Sequence, residues 1–214
     1  MKRICCIVGA GDMSETRLII PDGAYVIAAD AGLEHLDRAG IVPDLIVGDF
    51  DSLGKVPEGS NIIEHAPEKD DTDMMLAVKE ALARGADTII IYGGLGGRLD
   101  HVFANMQTLA FIANQGARGY LVGCGIVCTA IKNGTISFDA DMRGVVSVFC
   151  LGDTARGVDL VGLKYPLSDH TMTCDMPLGV SNEFMGVPSL VSVRDGILTV
   201  MWGAPQIELE KYII

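Results

Sequence analysis

The chain has 214 residues, 49% hydrophobic and 21% charged, the composition of a globular protein with a substantial core. Its 16 basic residues against 28 acidic ones leave a net charge of −12, which argues against a nucleic-acid surface, because phosphate backbones call for clustered Lys and Arg. That balance still permits a small phosphorylated ligand whose charge a divalent cation offsets, and no apolar stretch approaches the ~20 residues that span a bilayer.

In chain order, the first part alternates short apolar runs with helical patterns. "RICCIVG", "AYVIAAD", "DLIVGD", "NIIEH", "TIIIYGG" and "GYLVG" read as strands, mostly without polar interruption, as strands buried on both faces must be. The N-terminus reads as the first of them rather than as a signal peptide, because its apolar run is short and ends in a glycine turn. "TDMMLAVKEALARG" predicts a helix with Met75, Val78 and Leu82 on one face and a stop at Gly85. "DHVFANMQTLAFIANQG" predicts a second, aligning Val102, Met106, Leu109 and Ala113 and stopping at Gly116. Strand–helix alternation implies an α/β domain over residues 1–125: a mostly parallel, Rossmann-like sheet with helices on both faces.

After about residue 125 the pattern changes. "VCTAIKNGTISFD" and "SLVSVRDGILTVMW" predict hairpin turns at Asn133-Gly134 and Asp195-Gly196, with "VVSVFCLG" and "VDLVGLKY" as further strands between them. No helical period outlasts a turn, so residues 126–214 read as an all-β, sandwich-like domain. The six cysteines form no CxxC pair or zinc-like spacing and mostly sit in apolar segments, which suggests core residues and a reducing, cytoplasmic compartment.

The acids fall in a pattern. Asp30 ends a strand, Asp49 and Asp51 follow one in "GDFDSL", Asp70, Asp71 and Asp73 sit in "EKDDTD", and Asp100 closes "GGLGGRLD". In a parallel α/β sheet these places lie at the carboxyl ends of the strands, where ligands bind. Each Asp alone fits a turn or N-cap. Four acidic groups on one edge repel one another unless a hard cation joins them, and Mg²⁺ takes one or two carboxylates together with phosphate oxygens. Glycine turns at 93–97 and 8–11 offer backbone N–H groups to an anion, and Arg98 adds a planar charged fork. No Walker-type GxxxxGK[ST] occurs. Lys69 and His101 flank these clusters, either as ligand-facing groups or as ordinary polar residues.

In this order, "ADAGLEHLDRAGIVPDLIVGDFDSL", "EKDDTDMMLAVKEAL" and "GGLGGRLDHVFANMQTL" resemble the thiamine pyrophosphokinase family, and "GLKYPL" and "LGVSNEF" resemble its thiamine-binding part. The resemblance implies Mg²⁺-dependent transfer of a pyrophosphoryl group from ATP to the thiamine hydroxyl, giving thiamine diphosphate and AMP. It also implies a homodimer with thiamine near the subunit interface. On the matching positions, Asp49, Asp51, Asp73 and Asp100 would form the metal and phosphate site. Asp30, Lys69, Asp70, Thr72, Gly96 and Arg98 would surround ATP, and Ser181 and Asn182 would contact thiamine. The alternatives are a Mg²⁺-dependent phosphohydrolase using "DFD", a nucleotide-sugar transferase with an Asp-x-Asp turn, and a sensor that binds thiamine or a nucleotide without turnover.

Overall fold

The computed structural model describes residues 3–49, 61–64 and 70–203. The fold is mixed α/β, with a large sheet and a second, antiparallel sheet. The chain forms two compact units, Met1–Thr108 with Gly119–Cys124, and Leu109–Arg118 with Gly125–Ile214.

In the first unit, strands β1 (Ile4–Val8), β2 (Tyr25–Ala29), β3 (Leu45–Gly48), β4 (Ile62–Glu64), β5 (Thr88–Tyr92) and β6 (Arg118–Gly123) run in the order β6-β5-β1-β2-β3-β4. The pairings β1–β5, β1–β2, β2–β3 and β3–β4 are all parallel. Cys5 through Val8 and all of β5 are buried, as their unbroken apolar sequence predicts.

Three helices accompany these strands: α1 (Gly32–Ala39), α2 (Asp73–Ala83) and α3 (Leu99–Asn114). The stops at Gly85 and Gly116 are as predicted, both at positive φ, 80° and 79°. Two helical faces differ from expectation. On α2 the buried residues are Met74, Ala77, Val78 and Ala81, not the Met75–Val78–Leu82 stripe. Alanine at 77 and 81 lets the helix lie close on β2 and β3, and Met75 and Leu82 are left half-buried. On α3 the buried positions are Asn105, Thr108, Leu109 and Ile112, with Val102, Met106 and Ala113 only half-buried. Helix α1 was not anticipated. It starts at Gly32 because a Cβ there would lie 1.9 Å from the Val8 carbonyl oxygen, so only glycine lets it abut the end of β1.

Apart from the end of α3, which it includes, the second unit is built of strands, and no helix begins after residue 125 among the described residues. Strands β7 (Ile126–Lys132), β9 (Val145–Cys150), β12 (Gly179–Glu183) and β14 (Ile197–Gly203) run in the order β12-β9-β14-β7, and β8 (Thr135–Phe138), β10 (Thr154–Val161), β11 (Leu167–Thr173) and β13 (Ser189–Asp195) in the order β11-β10-β13-β8. The expected hairpins at 133–134 and 195–196 are instead corners between these two groups: β7 pairs with β14, and β8 pairs with β13. The turn chemistry is present, Asn133 at φ 47° and Gly196 at φ 121°. The corners, however, bond to each other, with Asn133 N–H donating to the Gly196 carbonyl (3.1 Å) and Gly196 N–H to Asn133 Oδ1 (2.8 Å). Phe138 of β8 packs edge-on against Trp202 of β14 at 5.2 Å, which puts this tryptophan in the core.

Candidate functional site

Two glycine turns cross at the carboxyl ends of β1 and β5. Gly9 N–H donates to the Tyr92 carbonyl (2.9 Å) and Gly11 N–H to the Gly93 carbonyl (3.0 Å). The approach leaves no room for side chains: a Cβ on Gly11 would sit 2.3 Å from the Gly93 oxygen, and one on Gly93 2.3 Å from the Gly9 oxygen. Gly93 also holds φ 64°, which favours glycine for a second reason.

These turns wall a cleft of about 510 Å³, also lined by Asp12, Asp30, Thr72, Asp73, Gly96, Arg98, His101 and Asn105. It lies where ligands bind parallel α/β sheets. Of the residues predicted from sequence, it gathers Asp30, Thr72, Asp73, Gly96 and Arg98. Asp49 follows β3, Asp70 precedes α2 on the surface and Asp100 lies in the first turn of α3, none of them among the lining residues. Asp51 and Lys69 lie outside the described residues. Among the described residues, no group of three or more His, Cys, Asp or Glu could hold a metal ion.

Asp30 stands apart electrostatically. It follows β2 at φ 49°, its N–H held by the Val47 carbonyl at 2.8 Å, and its Oδ1 is buried with no hydrogen-bond partner among the described residues. A buried carboxylate oxygen in that state is costly unless a ligand or cation meets it. Thr72 caps α2, its hydroxyl accepting from Met75 N–H at 3.1 Å, which leaves Asp73 as the first residue of the helix. Asp71 pairs with Lys79 at 2.5 Å. The Arg98 guanidinium holds the Asp100 carboxyl below the usual carboxylate range, with His101 N–H adding a bond of 3.0 Å.

Asn105 was missed. It is buried, lines the cleft, and donates from Nδ2 to the Gly94 carbonyl at 2.8 Å, fixing the 93–97 turn from α3. Its place in the pattern "DHVFAN", five residues after Asp100, was the available signal.

In the second unit, Ser181 and Asn182 fall on β12. Ser181 has φ 57°, and its N–H donates to Ser147 Oγ at 3.1 Å. Asn182 is buried, and its amide serves the backbone: Oδ1 accepts from Tyr165 N–H (3.0 Å) and Glu183 N–H (2.9 Å), and Nδ2 donates to the Tyr165 carbonyl (2.8 Å).

Comparison with known proteins decides the family. Residues 16–121 match the family model "Thiamin pyrophosphokinase, catalytic domain", and residues 133–198 match "Thiamin pyrophosphokinase, vitamin B1 binding domain". The chain is 31% identical to the thiamine pyrophosphokinase of Bacillus subtilis (strain 168), over 82% of this chain and 85% of that protein. The chain belongs to the thiamine pyrophosphokinase family. The crystal structure of the Bacillus subtilis thiamine pyrophosphokinase superposes with a TM-score of 0.81 at 26% identity, covering 95% of this chain and all of that one. The thiamin pyrophosphokinase of Geobacillus thermodenitrificans gives a TM-score of 0.79 at 29% identity, over 94% of this chain and 98% of that one. No helix among the described residues is long and apolar enough to cross a membrane.

Proposed function

We propose that this enzyme transfers a pyrophosphoryl group from ATP to thiamine, giving thiamine diphosphate and AMP, with ATP in the cleft of the first unit. The observation that carries the reading is Asp30: a carboxylate oxygen buried in a cleft walled by two crossed glycine turns, without a partner among the described residues. The residues fit Mg²⁺, because the cleft's acidic donors are oxygen only and this ion needs just one or two carboxylates beside phosphate oxygens. Asp73 of the cleft, with Asp49, Asp51 and Asp100 on the matching motifs, would hold it, and Asp30 would face the nucleotide. When bound, it supplies Lewis-acid stabilisation of charge on the phosphate oxygens.

The chain's own part is positioning. Gly96 and Gly97, at φ 79° and 71°, form a turn that can offer backbone N–H groups to phosphate, and Arg98 presents its fork at the same turn. Lys69, Asp70 and Thr72 would border the nucleotide. The thiamine hydroxyl oxygen bonds to the β-phosphorus, the bond from that phosphorus to the α,β-bridging oxygen breaks, and that oxygen leaves with AMP. The hydroxyl proton passes to a carboxylate, Asp73 or Asp100. In this reading residues 1–125 are a Rossmann-like catalytic domain with helices on both faces. Residues 126–214 are a sandwich-like domain that presents Ser181 to thiamine on the strand that the buried Asn182 amide holds in place. The enzyme works as a cytoplasmic homodimer.

The test is product analysis of purified protein with ATP and Mg²⁺, with and without thiamine. Thiamine-dependent AMP matched by thiamine diphosphate is the expected result. ADP or free phosphate would overturn the reading in favour of a phosphohydrolase, and binding without turnover in favour of a sensor.

A further inference from the structure

We infer that His35 is a positioning residue for this cleft, holding the wall formed by Gly11 from the side away from the ligand. The inference rests on the reading of the cleft as the ATP site. His35 lies on α1, half-buried, with Nε2 3.0 Å from the Gly11 carbonyl oxygen. Arg38 Nη1, one helical turn on, is 3.3 Å from His35 Nδ1, and Arg38 Nη2 donates to Glu34 Oε2 at 2.8 Å. A guanidinium only donates, so Nδ1 is the acceptor and the ring proton sits on Nε2. That is the tautomer able to donate to Gly11. Arg38 therefore donates both to Glu34, which anchors it, and to His35, which donates on to Gly11, so that each link fixes the next.

Gly11 is thereby held by both of its backbone groups, its carbonyl by His35 and its N–H by the Gly93 carbonyl. It is also a partition. It lines the acidic cleft on one side and, on the other, a hollow of about 710 Å³ bordered by His35, Arg38 and Arg17. His35 does not line the acidic cleft, so it acts on a ligand there only through the 9–12 turn. Without its bond the carbonyl of Gly11 loses the partner that fixes its direction, while the Gly9 and Gly11 N–H bonds to β5 and its loop remain.

The test compares His35→Leu, which keeps bulk but cannot donate, with His35→Gln, whose amide can donate to the same carbonyl. ATP with Mg²⁺ is titrated by calorimetry without thiamine, and KM values, kcat and Tm are measured alongside. His35→Leu is expected to weaken ATP binding and raise its KM roughly fivefold, the scale of one hydrogen bond, with the KM for thiamine and kcat little changed. His35→Gln should recover most of that loss. Arg38→Met, at a side chain 66% exposed, should give a smaller loss of the same kind with Tm unchanged, and stands in should His35→Leu fail to fold. Unchanged ATP binding in His35→Leu, or in Arg38→Met if that variant replaces it, would overturn the inference. Equal losses in the Leu and Gln variants, or a fall in all parameters that tracks Tm, would do the same. Absence of thiamine-dependent AMP from the wild type would instead overturn the proposed function, and the calorimetry would still read the role of His35.

Discussion

Arg98 and Asp100 form a forked pair across one intervening residue, Nε to Oδ1 at 3.2 Å and Nη2 to Oδ2 at 2.6 Å. Both side chains are largely exposed, 73% and 64%, so the pair adds little to stability. A phosphate presents the same paired acceptors as the carboxylate, so Arg98 can exchange one for the other with its fork intact. Arg98→Ala is therefore expected to leave Tm essentially unchanged while lowering kcat/KM for ATP by roughly tenfold or more. Arg98→Lys, which keeps the charge but loses the fork, should recover only part of it. Steady-state kinetics with ATP varied at saturating thiamine would check both. A variant with normal kinetics and a lowered Tm would assign Arg98 to the scaffold instead.

The crossing of the glycine turns makes a sharper prediction. Gly93→Ala combines a positive φ with a Cβ placed 2.3 Å from a backbone oxygen, which no rotamer change relieves. It should cost about 2 kcal/mol or more in stability. Gly97→Ala, also at positive φ but with nothing within 4 Å of its Cβ, should cost only about 1 kcal/mol. Urea denaturation of the two variants measures the difference, and equal losses would show that the close approach does not matter.

The cysteines predict a pH dependence. Burial pushes the Cys6 and Cys128 thiols up to about 12 from an ordinary value of 9.0, while Cys124 and Cys174 are exposed. Iodoacetamide at pH 8 should label Cys124 and Cys174 in the native protein and all six cysteines after denaturation. The folded state keeps protons on Cys6 and Cys128 that the unfolded chain gives up above about pH 9. Their contribution is thus fully present below pH 9 and is lost as pH rises toward 12. Thermal melts from pH 7 to 11 should show Tm falling above pH 9, and the same fall in a Cys6→Ala, Cys128→Ala double variant would assign it to other groups.

The sequence carried local chemistry more legibly than long-range pairing. The runs at β1 and β5 announce buried strands because every side chain is apolar, and Gly85 and Gly116 announce helix ends because few other residues hold a positive φ at low cost. The acids were visible as strand-end and helix-start residues, and Asp30 and Asp73 do reach the cleft. Helix α1 is only eight residues long, its N-cap Ala31 makes no side-chain bond, and its buried residues are Gly32 and Leu36, so it leaves little periodic signal. At Asn133 and Gly196 the turn residues were readable but not the destinations of the strands, since a corner and a hairpin use the same local chemistry. Asn105 and His35 bond to carbonyls 11 and 24 residues away, a relation that composition and spacing do not encode.

Ser181 and Asn182, adjacent in sequence, should separate cleanly on mutation. The Asn182 side chain makes three bonds to backbone and is buried, tying β12 to the Lys164–Tyr165 turn. Asn182→Ala leaves the N–H and carbonyl of Tyr165 without those partners and should destabilise the protein by about 2–3 kcal/mol, with any loss of thiamine affinity following from the disturbed strand. Ser181 is exposed, and its residue already occupies a left-handed conformation, φ 57°. Ser181→Gly relieves that conformation while deleting the hydroxyl, so Tm should hold or rise slightly. If the hydroxyl meets thiamine, the KM for thiamine should rise about fivefold with the KM for ATP unmoved. Thermal melts and two-substrate kinetics on both variants give the answer. An unchanged thiamine KM in Ser181→Gly would remove Ser181 from the thiamine site and leave Asn182 as the strand's structural clamp.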